Sequence, residues 1–135
     1  MSRKVEDLTP EMQVKFKEFA AKMAEVGLPF ILTSTYRSQE EQNALYEIGR
    51  SKPGRKVTWT LHSRHTQRDA FDIAVIKEGK PTWDTKVSVN ENDIPDYFEA
   101  GKIGQEVGLI WGGTFKNSKG DPLPDFPHFQ NKKEA

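Results

Sequence analysis

The chain has 135 residues, with 20 Lys+Arg against 20 Asp+Glu and a net charge of zero. That length makes one domain, residues 1–135, able to bury a core without staples. Balanced charge speaks against a general nucleic-acid binder. The absence of cysteine excludes disulfides, thiolate metal sites and thiol nucleophiles, and no apolar run approaches the ~18 residues of a membrane span.

The N-terminal stretch MSRKVEDLTPEM lacks the apolar core of a secretory signal, so the chain is expected to stay in the cytoplasm unless something releases it. A first helix follows. Thr9 can cap it, Pro10 suits its first position and Glu11 favours the positive end of its dipole. Met12, Phe16, Phe19, Met23 and Val26 recur at helical spacing as one core stripe, and Gly27 is placed to end it. Pro29–Thr33 reads as a short buried strand. Ser34-Thr35-Tyr36-Arg37 leads to a second helix through a Ser38-x-x-Glu41 capping box, with Ala44, Leu45 and Ile48 as its buried side and Gly49 at its end. Residues 50–58 form a basic loop whose charges read first as a solvated surface.

Ala70 to Ile76 alternates as a strand, with Ala70, Asp72, Ala74 and Ile76 on one face and Phe71, Ile73 and Val75 on the other. Residues 77–92 are polar and turn-rich, a hairpin or loop. Asp93 is the expected cap of a third helix, with Pro95 near its start, a stripe of Tyr97, Ala100, Ile103 and Val107, and Gly108 as its stop. Leu109–Trp111 is a short strand, 114–126 a long loop, and Pro127–Gln130 a closing strand, with the tail frayed from about 131. This order indicates an α+β domain, a small antiparallel sheet flanked by about three helices.

The chain has three histidines, His62, His65 and His128. His65, Asp72 and His128 together are two imidazoles and a carboxylate, a three-ligand set that catalytic zinc uses while keeping a position for water. Asp125 would then be a free carboxylate suited to act as a general base. Positions three apart on a regular strand face opposite ways, so Asp125 and His128 share a site only if the backbone bends between them; Pro124 and Pro127 flank that interval. Asp72 lies on a face of Ala and Ile, where a carboxylate is costly unless paired or metal-bound. On spacing alone, the two histidines serve equally as surface residues with ordinary hydrogen bonds.

The local strings add more. Ser63 to Asp72, SRHTQRDAFD, resembles the Ser-x-His-x6-Asp signature of the LAS metallopeptidases, also called peptidase family M15. This group comprises D-alanyl-D-alanine carboxypeptidases, dipeptidases and phage endolysins. Asp125-Phe126-Pro127-His128-Phe129 is similar to its second signature, Asp/Glu-x-x-His, and Gly108-Leu109-Ile110-Trp111-Gly112-Gly113 to the run that leads into it. Ser34-Thr35-Tyr36-Arg37-Ser38, Gln42 and Leu45-Tyr46 resemble the family's Tyr-Arg-Ser block. Gly49-Arg50, Lys52-Pro53-Gly54 and Val57-Thr58 are similar to the subgroup that cuts L-alanyl-D-glutamate bonds. The resemblance runs from about Leu32 to Gln130.

It implies Zn2+ held by His65, Asp72 and His128, with Asp125 as the base. It implies Arg37 as the group that binds substrate and steadies the oxyanion, and Ser63 as a contact to substrate or to the metal surroundings. The implied partner is the peptidoglycan stem peptide, met by a monomer that binds neither nucleic acid nor membrane and reaches the wall through its own catalytic surface. The implied setting is a phage endolysin, held in the host cytoplasm until a holin releases it for host lysis. A D-alanyl-D-alanine carboxypeptidase of the same fold is the alternative, and a metal-free wall-binding module another. One residue departs from the pattern: Arg68 stands where the family has glycine, which eases a tight turn. His62 has no counterpart and is read as a structural or supporting histidine.

Overall fold

The computed structural model describes residues 1–132. Three α-helices, α1 (Pro10–Glu25), α2 (Gln39–Glu47) and α3 (Asp96–Glu106), accompany five strands, β1 (Phe30–Ser34), β2 (Ala70–Lys77), β3 (Lys80–Thr82), β4 (Leu109–Trp111) and β5 (His128–Asn131). The strands form one antiparallel sheet in the order β1-β2-β5-β4, with β3 also paired to β2. This is the expected α+β architecture. None of the described helices is long and apolar enough to cross a membrane.

The alternation along β2 decides which side of the sheet does what. Phe71, Ile73 and Val75 point into the core, where Phe71 stacks on its cross-strand partner Phe129 with centroids 5.4 Å apart. Phe19 of α1 closes on both rings, at 5.4 and 4.9 Å. Each such buried ring contributes about 1.5–3 kcal/mol of burial, with a further ~0.5–1.5 kcal/mol for well-placed ring pairs. The Tyr97 hydroxyl of α3 accepts from the Val75 N–H and donates to the Thr82 carbonyl, tying the helix to the β2–β3 hairpin. The opposite face of β2 and β5, bearing Asp72, His128 and Gln130, is left for the site.

Several boundaries differ from expectation. The Thr9 cap and the Ser38–Glu41 capping box form as read. Val26, however, lies just past the last turn of α1 and is 37% exposed rather than in the core stripe. In α2 Ala44 is exposed and the one buried residue is Gln42, because this helix flanks the site instead of covering the core. Asp93 does not cap α3; it sits at φ 64 outside the helix, and Pro95 occupies the cap position. Asp96 instead turns its buried carboxylate onto the Val89 N–H, which folds the preceding loop back, and burial raises its pKa. The tail is ordered further than expected. Asn131 completes β5, is buried, accepts from Lys15 of α1, and donates its N–H to the Asp69 carbonyl. The rest of the expected frayed tail, 133–135, lies outside the described residues.

Gly101 in α3 shows how closely the helix approaches β4. A Cβ there would lie 2.3 Å from the Trp111 ring, which is also wedged against Phe98 and Phe126 and donates Nε1–H to the Phe126 carbonyl. Gly101→Ala would gain about 1 kcal/mol of helix propensity but incur roughly 1–3 kcal/mol of overpacking against a ring that cannot retreat. Overpacking wins. The expected result is a net loss of up to about 2 kcal/mol, read as a lower urea midpoint at unchanged m-value.

Candidate active site

Two polar elements carry the site into contact. Asp72 lies opposite His128 in the β2–β5 register, and opposite Ser34 where β1 bulges. His65 comes from a 3-10 turn, Arg64–Gln67, whose first N–H groups are met by Ser63: its hydroxyl oxygen accepts from the His65 N–H at 3.1 Å. Arg64 holds the other end of the turn, donating to the Asp69 carboxylate and to the Asn131 carbonyl. Asp125 reaches the same site because the chain turns at Phe126-Pro127, closed by His128 N–H donating to the Asp125 carbonyl at 3.1 Å. This is the bend that the Pro-flanked interval requires.

Gly112 makes room for that turn. A Cβ on it would lie 2.2 Å from the Asp125 carbonyl oxygen and 3.0 Å from the His128 Cβ, so only glycine lets the strand end pass beneath the turn. The same residue accepts the Asp125 N–H at 2.8 Å. Arg37 follows β1, and its backbone N–H donates to the His65 carbonyl. Arg37, Ser63, His65, Asp72, Asp125 and His128 all line a single open cavity of about 610 Å³. His62 is exposed on the same wall rather than buried as a structural residue.

The donor set at its base has a specific electrostatic need. His65 Nδ1 lies 3.0 Å from the Thr35 carbonyl oxygen and His128 Nε2 lies 2.9 Å from Gln130 Oε1. Those oxygens only accept, so they assign the ring hydrogens to these outer nitrogens. In the neutral rings the inner nitrogens then turn lone pairs toward Asp72 Oδ1, 3.2 Å from His65 Nε2 and 3.0 Å from His128 Nδ1. Three acceptors in mutual contact repel unless a proton or a metal cation stands among them. One ligand atom from each of the three residues lies within 4.8 Å of the others, whereas ligands ~2.0–2.1 Å from a tetrahedral metal are roughly 3.3 Å apart. Residue type, spacing and fixed outer hydrogen bonds thus fit a divalent metal.

Charge at the site follows the same arrangement. Burial pushes the Asp72 carboxyl up, but hydrogen bonds from His128 and His65 outweigh it and hold the group well below the usual carboxylate range. Burial pulls the His128 imidazole down, and the facing Asp72 carboxylate more than reverses this. Asp125, by contrast, is raised by desolvation and by the negative charge of Asp72, with the histidines and Arg37 opposing.

A family model described as D-alanyl-D-alanine carboxypeptidase, within peptidase family M15, matches residues 56–131, more than half of the chain and a span that contains His65, Asp72, Asp125 and His128. The chain belongs to peptidase family M15. Among relatives of this M15 metallopeptidase is the peptidoglycan L-alanyl-D-glutamate endopeptidase CwlK of Bacillus subtilis (strain 168). It is 33% identical over 127 residues, which span 92% of this chain and 73% of CwlK. The fold is shared with the Serratia marcescens L-Ala D-Glu endopeptidase ChiX, at TM-score 0.66 and 22% identity over 94% of this chain and 82% of ChiX. It is also shared with the vancomycin-resistance D,D-dipeptidase VanXYg, at TM-score 0.65 and 19% identity over 93% of this chain and 50% of that one.

The M15 peptidase keeps the tight turn despite Arg68. That residue takes the left-handed conformation, φ 60 and ψ 29, which costs a non-glycine residue roughly 1–2 kcal/mol. Its guanidinium stacks 4.0 Å from the Tyr36 ring centroid and donates to the Asp7 carbonyl, contacts that glycine would lack and that offset the strain. The His65 turn therefore has the shape that the missing glycine would have supported.

Sequence reading did not assign roles to the residues that fix the ligands. Gln130 shares the strand face of His128 two residues on, a period-two signal that was there to be used. The Thr35 carbonyl leaves no signal in the sequence at all, since any residue has one.

A pH prediction follows from the two shifted ligands. A metal must displace the proton that Asp72 holds on His128, while Asp72 itself stays ionised far below neutrality. His128 has a raised folded-state pKa, so its stabilisation of the metal-free protein is full below about 6.5 and is lost as pH rises through the folded value. Metal binding gains over the same window. The gap in melting temperature between metal-loaded and metal-free protein should therefore widen as pH rises from about 6.5 through the raised His128 value, as read by thermal melts with and without chelator.

Proposed function

We propose that this protein is a zinc-dependent peptidoglycan peptidase that hydrolyses the L-alanyl-D-glutamate bond of the stem peptide. The observation that carries the reading is the joining of two tautomer-fixed imidazoles, Asp72, Asp125 and Arg37 on one open cavity of about 610 Å³. The bond choice is supported by the 33% identity to an endopeptidase of that specificity over most of both chains.

His65, Asp72 and His128 would hold the zinc, which supplies a Lewis acid that makes water acidic near neutrality and polarises a carbonyl. Asp125 receives the proton of the attacking water and passes it to the leaving amine; its raised pKa suits a group that must both take and give. Arg37 donates N–H groups to the substrate oxygen on which negative charge develops. Ser63 acts by capping the turn that aims His65. The setting that fits is a phage endolysin held in the host cytoplasm until a holin releases it, acting as a monomer for host lysis.

Digestion of a defined wall peptide, with fragments weighed by mass spectrometry, tests the chemistry. The expected products carry a new N-terminal D-glutamate. Release of terminal D-alanine would instead assign a carboxypeptidase. No cleavage by zinc-loaded protein would leave a wall-binding module.

A further inference from the structure

Gln42 is the one buried residue of α2, fully enclosed, on a helix that contributes little to the core. An amphipathic helix would place an apolar side chain there, and an amide buried without partners is costly. Gln42 has partners on both ends. Its Oε1 accepts from Arg37 Nη1 at 2.7 Å. Its Nε2 donates to the Thr60 carbonyl at 2.7 Å and to Thr58 Oγ1 at 3.2 Å. An amide has two N–H hydrogens, so both are in use.

The two sets of partners are different parts of the same cavity. Arg37 with Nη1 occupied has, among the described residues, Nη2 against the Met1 thioether alone, a weak acceptor that a substrate oxygen would readily displace. Thr58 and Thr60 bracket Trp59, which lines the cavity at 60% exposure. That segment is held from a second side by Arg50, whose Nη1 donates to the Thr58 carbonyl while its guanidinium lies 3.7 Å from the Tyr46 ring centroid.

We propose that Gln42 is a positioning residue that sets Arg37 through its oxygen and the 58–60 wall through its nitrogen, so that one amide fixes the distance between the charge-stabilising group and the wall the substrate lies against. This rests on the peptidase reading above. A core role would treat the amide as a unit. The positioning role separates its two ends.

The test is steady-state hydrolysis of the defined wall peptide by zinc-loaded protein, with circular dichroism and zinc content recorded for each variant. Gln42→Met keeps the volume and removes both ends. It should lower kcat/KM about tenfold to hundredfold, the range for leaving one buried donor unpaired. In an Arg37→Ala background the same change should cost less than about threefold in kcat, because its route to the reaction is already gone. Gln42→Glu keeps an oxygen for Arg37 and loses both donors; kcat should stay within about threefold while KM rises about tenfold. If Gln42→Met lowers kcat equally with and without Arg37, or if Gln42→Glu loses kcat as Gln42→Met does, the proposal is wrong. Should Gln42→Met fail to fold, the split in Gln42→Glu decides. Should neither fold, Gln42 belongs to the fold and the proposal falls. Wild-type protein inactive on the peptide would overturn the functional reading itself, a result distinct from active wild type with no coupling.

Discussion

Asp125→Ala is expected to keep its metal and its fold and to lose about 10²–10⁴ in kcat, the range for a positioned acid–base group. The side chain is not among the three ligand atoms that converge at the base of the cavity. Its backbone is held independently, by N–H donation to the Gly112 carbonyl and by acceptance from His128, and alanine keeps both bonds. Desolvation and the Asp72 charge raise its pKa, but the residue is exposed and solvent screens most of that repulsion. The melting temperature of metal-free Asp125→Ala at neutral pH should therefore stay close to that of the wild type, while turnover collapses. A variant that turned over normally would remove Asp125 from the role of base, and one that lost zinc would place it among the ligands.

Asp72→Ala should do the opposite and fail at metal binding. Partners of metal ligands alone change affinity by about 10–100-fold, and Asp72 stands between both imidazoles with one oxygen 3.2 and 3.0 Å from them. A loss of at least about 100-fold in zinc affinity is expected, measured by competition with a chromogenic chelator. The metal-free protein should change too. The Asp72 carboxyl is held below its ordinary range, so its contribution is present above about pH 4 and lost as pH falls through the folded value. At neutral pH the variant leaves two buried imidazoles with Asp125 as the carboxylate that still faces them. His128 then loses the largest of the groups that raise it, and the pH-dependent widening of the melting gap should shrink with it.

The helices and strands were legible because their signals are local. Thr9 before Pro10 and Ser38 before Glu41 cap their helices as read, since a side-chain oxygen three residues from an N–H needs no distant partner. Where the sequence misled, a distant partner had taken over. Asp93 had the chemistry of a cap, but Val89 recruited Asp96 and the chain entered the helix through Pro95. Ala44, Leu45 and Ile48 made an apolar stripe, but α2 turned Gln42 inward because Arg37 and Thr60 lay there to receive it. The tail NKKEA looked like an end, but Lys15, from the first helix, buried Asn131.

By itself the sequence determined which groups were available, two histidines, two aspartates and an arginine in ordered strings, and that Asp72 lies on a strand whose alternation separates it from Phe71. Side-chain alternation follows from backbone sterics and is the same in any fold. The tertiary structure alone decided that Asp72 would stand across from His128, 56 residues away, and that Thr35 and Gln130 would leave both imidazole lone pairs facing one carboxylate. Register and tautomer are set by the packing of the whole chain, and no local pattern encodes them.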